Sequence, residues 1–171
     1  MISPFVVDVD DVMLKSGDSL KVEIESRIDD IDVGESRKLT TGPVEFAGRL
    51  ENAVTGIVAT GIVRVVLHLS CFRCLESFDS RQDIDFAEFY GFAGEPDNDE
   101  DGYKVEGDKV DLEPAIREAI IFGLPTKQIC REDCRGICSG CGATLNDEEC
   151  QCSKDVIDER WAALKDLIDE Q

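Results

Sequence analysis

Four close pairs of cysteines constrain this chain more than any other feature. They are Cys71-Phe72-Arg73-Cys74, Cys130 and Cys134 across Arg131-Glu132-Asp133, Cys138-Ser139-Gly140-Cys141, and Cys150-Gln151-Cys152, and they account for all 8 cysteines. Zinc takes four soft ligands in a tetrahedron, and a two-residue spacer lets one tight turn aim two thiolates at a single ion. Cys138-x-x-Cys141-Gly142 has the form of such a knuckle, because glycine is free to take the positive φ that the turn needs.

Eight thiolates fill two four-coordinate sites, and chain geometry favours one division of them. Cys138, Cys141, Cys150 and Cys152 close a short loop at small entropic cost, which predicts a local ribbon. Cys71, Cys74, Cys130 and Cys134 remain, and a site made from them would join the N-terminal half to a segment far along the chain. One or two zinc ions per chain are the expected cofactor.

The compartment bears on this reading. Met1-Ile2-Ser3-Pro4-Phe5 lacks the basic and long apolar regions of a secretory leader. The most apolar stretch, Gly56 to Leu69, is rich in β-branched residues and broken by Arg64 and His68, so it reads as strand rather than membrane span. A cytoplasmic protein is expected, where thiols stay reduced and disulfides are rare. Iron–sulfur ligation competes with zinc, since four thiolates suit iron clusters too. A thioredoxin-like role for Cys71-x-x-Cys74 finds no surrounding βαβ pattern.

Charge limits the partners. Asp and Glu number 38 against 18 Lys and Arg, for a net charge of −20. A surface that tracks phosphates needs the opposite balance, so extensive direct RNA binding is disfavoured. Two zinc ions, each held by four thiolates, would add about −2 apiece and deepen the charge to about −24. Arg73, Lys127, Arg131 and Arg135 gather around the cysteines. They are expected to offset thiolate charge and to donate hydrogen bonds to sulfur, ahead of a role in partner contact.

The expected fold is α+β. Phe5–Val9, Leu20–Ile24, Val44–Leu50, Ala53–Thr60 and Ile62–Leu69 read as strands, punctuated by Gly42-Pro43, Glu51-Asn52 and Gly61. Phe78–Phe92 adds a strand pair or one long strand. Together they predict an antiparallel sheet or partial barrel of about five or six strands. One helix is expected from Asp111 to Gly123, with Pro114 in its first turn and Leu112, Ile116, Ala119 and Ile120 buried. A second is expected from Asp155 to Asp169, with Ile157, Trp161, Leu164 and Ile168 in a stripe. Residues 1–129 form the β-rich core with one helix. Residues 130–171 form a cysteine-rich, zinc-ribbon-like segment with the closing helix, the two packing as a single domain.

Other chemistry is sparse. Asp97, Asp99, Asp101 and Gly102 match half of a calcium loop, but Lys104 and Asp108 break the pattern, so a solvated acidic loop is expected. His68, the only histidine, is read as a strand residue rather than a ligand. Phosphate-loop, dinucleotide-binding and zinc-protease motifs are absent from the sequence, and no catalytic residue is expected.

The cysteine spacing, with Cys71-Phe72-Arg73-Cys74-Leu75-Glu76, Leu124-Pro125, Cys134-Arg-Gly-Ile-Cys138, Cys141-Gly-Ala-Thr-Leu-Asn146 and Asp158-Glu159-Arg160-Trp161, resembles the YceD family over most of the chain. That resemblance implies a bacterial cytoplasmic protein, with plastid relatives, needed for accumulation of large-subunit ribosomal RNA and without enzymatic activity. Combined with the charge, it implies action through a basic ribosomal protein or assembly factor, and neither a membrane nor a small-molecule substrate is expected. A redox- or zinc-responsive thiol switch, or a zinc-ribbon adaptor in another assembly, would use the same cysteines differently.

Overall fold

The computed structural model describes residues 3–29, 31–32, 38–92 and 102–152. Its frame is three strands of 15 residues each, β4 (Lys38–Asn52), β5 (Gly56–Ser70) and β6 (Ser77–Gly91), running antiparallel. β2 (Ser19–Arg27) pairs with the outer side of β4, giving the order β2-β4-β5-β6, and β3 (Ile31–Asp32) also pairs with β4. β1 (Val6–Asp8) pairs with β7 (Lys109–Asp111) in a second, two-stranded sheet. Two helices accompany the sheets, α1 (Asp10–Met13) and α2 (Glu113–Phe122).

Strict alternation in β5 shows why the sequence chooses this arrangement. Ile57, Ala59, Val63, Val65, Leu67 and Leu69 are buried, whereas Arg64 and His68 on the other face are exposed. A period of two puts every second side chain on one face of a sheet, and here that face is the core. Across the strands it forms rows such as Phe46–Val63–Ile84, on which Leu112, Ala115, Ile116 and Ile120 from the second helix region close. The opposite face carries a charged row in which Arg64 lies 2.8 Å from Glu45 and 4.0 Å from Asp83.

Gly61 does not end a strand, contrary to the sequence expectation. It sits inside β5, opposite Gly48 on one side and Phe86 on the other, and the expected strands Ala53–Thr60 and Ile62–Leu69 are one. The glycine pair leaves core-face space that the rings of Phe46 and Phe86 use, meeting edge to face at 5.3 Å. A Cβ on Gly61 would come within 2.5 Å of the Ala47 carbonyl oxygen and 2.7 Å of Gly48 Cα.

The real turn lies at Ala53–Thr55, just beyond the expected Glu51-Asn52. Asn52 is buried, and its side chain explains the shift: Oδ1 accepts from the Val54 amide at 3.0 Å while Nδ2 donates to the Val12 carbonyl at 3.0 Å. The first bond holds Val54 at φ 71, and the second ties α1 to the hairpin. α1, β3 and β7 carry too few residues for a periodic signal and were not expected. α2 matches its expected position, though Ala119 is only half-buried. Residues 93–101 of the acidic stretch and the helix expected from Asp155 to Asp169 lie outside the described residues.

Because backbone atoms rather than flexible side chains fill the space beside Gly61, Gly61→Ala should destabilise the chain by about 1–3 kcal/mol. Urea unfolding would measure it. An unchanged midpoint would mean the two strands can part without cost.

Candidate metal centre

The β5–β6 hairpin ends in a turn that replaces ordinary hairpin residues with two sulfur donors. Ser70 pairs with Ser77, the Cys71 amide donates to the Glu76 carbonyl at 2.8 Å, and the Leu75 amide donates to the Cys71 carbonyl at 2.9 Å. This bonding turns Cys71 and Cys74 inward, where they are 0% and 4% exposed. It also sets Leu75 at φ 64, a left-handed conformation that costs a residue other than glycine about 1–3 kcal/mol.

The second half of the cluster arrives from the segment after α2. The Phe72 amide donates to the Gln128 carbonyl at 2.8 Å, which lays residues 128–134 along the turn and brings Cys130 and Cys134 to Cys74 and Cys71. Sulfur–sulfur distances are 3.7 Å for Cys74–Cys130 and 3.8 Å for Cys71–Cys134. All four sulfurs lie within 4.8 Å of one another. Phe78 and Ile129 pack against them, and three of the four cysteines are buried.

Cys138, Cys141, Cys150 and Cys152 form a second group with sulfurs equally close. A small hairpin positions it: Ile137 pairs with Thr144, the Cys138 amide donates to the Ala143 carbonyl, and the Gly142 amide donates to the Cys138 carbonyl. Gly142 has φ 76, the conformation the knuckle pattern requires. Unlike the first group, this one faces water, with Cys141 and Cys152 exposed. The eight cysteines thus fall into the two sets expected from loop closure.

Close sulfurs compete for protons. Burial opposes ionisation of Cys71, but amides of Cys74, Cys130 and Arg73 draw its thiol down to about 6. The Glu76 amide pulls Cys74 the same way, yet burial and neighbouring thiols prevail and push it up to about 12. In the second group, amides of Cys141 and Gly140 draw Cys138 down to about 6, whereas hydrogen bonding with Cys141 pushes Cys152 up to about 12. Four thiolates at these separations can be charged together only around a cation, and soft, tetrahedral donors suit zinc or an iron cluster.

The arginines serve the cluster less directly than expected. Arg73 Nη1 donates to the carbonyls of Cys134 and Glu132 at 3.0 and 3.2 Å, clamping one ligand-bearing segment onto the other. Arg135 Nη2 donates to the Asn146 carbonyl at 3.0 Å, and Arg131 lies 3.5 Å from Asp133. Donors to sulfur are instead backbone amides, among them Arg73 to Cys71 and Gly140 to Cys138, and the Asn146 side chain to Cys134, these three each at 3.4 Å.

Asn146 was not foreseen. It lies in the ribbon yet contacts a first-cluster sulfur, and its Oδ1 accepts from the Arg135 amide at 2.9 Å. Its sequence signal is its place at the end of the Cys141–Asn146 stretch that carries the family resemblance, which assigned it no role. His68 stands apart, its Nδ1 2.6 Å from Asp79 on the exposed sheet face.

A cavity of about 470 Å³ lies between β6, β7 and the start of α2, lined by Tyr90, Tyr103, Lys104 and Asp111 among others. Burial raises both tyrosine hydroxyls above their ordinary range, so they stay protonated and supply no base at neutral pH. No helix among the described residues is long and apolar enough to cross a membrane.

A family model described as large ribosomal RNA subunit accumulation protein YceD matches residues 59–168. An uncharacterised protein of Mycobacterium tuberculosis is 30% identical over 124 residues, covering 70% of this chain and 59% of the relative. One of Mycobacterium leprae is 30% identical over 131 residues, covering 74% and 59%. A chloroplastic protein of Arabidopsis thaliana, named large ribosomal RNA subunit accumulation protein YCED homolog 1, is 27% identical over 140 residues, covering 64% of this chain and 44% of its own. The chain therefore spans 59% of the length of the mycobacterial relatives and less than half of the plant one. No solved structure matches. With more than half of its length matched by the family model, this chain belongs to the YceD family of large ribosomal RNA subunit accumulation proteins.

Proposed function

We propose that this chain is a non-enzymatic, zinc-holding factor that supports accumulation of large-subunit ribosomal RNA in the cytoplasm and acts through a basic ribosomal protein or assembly factor. The observation that carries the reading is the pair of four-sulfur clusters in a member of this family. Zinc with four thiolates has no open position for water or substrate, so its work is architectural. Cys71, Cys74, Cys130 and Cys134 hold one ion and clasp residues 130–171 to the β-rich core as a single domain. Cys138, Cys141, Cys150 and Cys152 hold the other.

Charge selects the partner. At −20 before metal, the chain repels the phosphate backbone and attracts Lys- and Arg-rich proteins, raising their encounter rate by long-range steering. A ribosomal protein covered in this way is kept from indiscriminate contact with RNA until it is delivered.

Elemental analysis of the purified protein should find two zinc per chain. A chelator should remove the ion of the exposed second cluster first, with the far-ultraviolet spectrum of the sheet retained until the buried ion follows. Absence of metal together with intact disulfides would refute the assignment. At physiological salt, purified basic large-subunit proteins should bind more tightly than bare ribosomal RNA, and their affinity should fall as salt rises. The opposite preference would refute the partner class.

A further inference from the structure

The geometry points to the tip of the Cys71–Glu76 turn as a docking surface for a basic protein, with Phe72 and Leu75 as its apolar anchors. This rests on the reading that the chain works through such a partner, and names the surface that would bind it.

Two features of the turn are hard to explain by folding alone. The ligand-bearing Cys71 and Cys74 are buried, yet Phe72 and Leu75 are 62% and 67% exposed. Leu75 also holds the left-handed backbone at φ 64, where glycine would sit without strain. The hydrogen bond that fixes this conformation, from the Leu75 amide to the Cys71 carbonyl, is made by backbone atoms and does not require leucine. Leucine here adds strain without burial, and strain retained at an exposed position is a mark of function.

The surface is rigid as well as apolar. Arg73 is bonded to the carbonyls of Glu132 and Cys134, and the Phe72 amide to the Gln128 carbonyl. Gly136, at φ 75, passes so close that a Cβ there would lie 3.0 Å from the Arg73 carbonyl oxygen. Anchors on a held turn lose little freedom on binding, which favours a protein interface. Leu14 and Phe122 stand at helix ends without these constraints, and Val54, 69% exposed at φ 71, shares the strain but lies in a turn with no cysteine and no second segment clamped to it by an arginine.

Local charges do not choose the occupant, since Arg73, Lys127, Arg131 and Arg135 are exposed around the turn alongside exposed Glu76, Glu132 and Asp133. The whole chain does. A second copy would bring another −20 to the contact, and RNA would bring phosphates, so a cationic protein with an apolar side chain to pack between Phe72 and Leu75 is the matching partner.

The test titrates purified basic large-subunit ribosomal proteins, with polylysine as a purely electrostatic probe, against the full chain and three variants. Leu75→Gly and Phe72→Ser should each weaken ribosomal-protein binding by at least about tenfold, while polylysine binding and zinc content stay unchanged. Leu75→Gly should melt no lower than wild type, because it relieves the left-handed strain, and Leu14→Ser should bind normally. If Leu75→Gly melts lower, Phe72→Ser alone decides. Wild-type affinity in both turn variants would overturn the docking surface and leave the partner reading standing. A wild-type chain that binds none of these proteins would overturn both.

Discussion

The contact between the Cys71/Cys74 turn and the Cys130/Cys134 segment is what joins everything after α2 among the described residues to the end of the sheet. β4 stays paired with β5 as far as Thr40 opposite His68, and Leu67 and Leu69 still belong to the main core, so only the β5–β6 turn beyond them lies outside it. That turn packs instead around four sulfurs, with Phe78 and Ile129 against them. A metal bridging positions this distant in sequence would restrict the unfolded chain more than the short closure of the ribbon does, by about 1 kcal/mol. Arg73 and Asn146 reinforce the contact from two sides, one clamping carbonyls and one bonding sulfur. Through Asn146 the ribbon is attached to the clasp, so the two clusters form a hierarchy with the buried one at its base.

Much of this was legible in the sequence, for reasons that can be located. The division of the cysteines follows from loop length and spacing, and the core face of β5 from its period-two alternation. Gly61 misled because glycine in a strand has two meanings, a turn or a close backbone approach, and only its register against Gly48 separates them. Asn52 misled in a similar way, since its side chain directs a turn that begins one residue later. Gly61 takes its meaning from a partner on another strand, and Asn52 is held in place by the Val12 carbonyl of α1, neither of which local pattern supplies. The roles of Asn146 and Arg73 were hidden for the same reason, as each is defined by atoms of a segment brought near by the cysteines themselves.

The strongly acidic charge and the rigid, sulfur-backed turn fit one physical scheme. Long-range charge brings a cationic protein close but carries little information about which one, whereas a small rigid apolar contact discriminates without adding much affinity at a distance. A chain that separates these tasks can meet many basic proteins and retain few. On the proposed function the cluster would matter indirectly, by holding the anchors still.

X-ray absorption at the zinc edge, on a chain carrying Cys141→Ser and Cys152→Ser, tests the clasp most directly because only the first cluster remains complete. One zinc bound by four sulfurs at about 2.3 Å is the expected result. Nitrogen or oxygen atoms among its nearest neighbours, or no bound zinc in the folded chain, would contradict it.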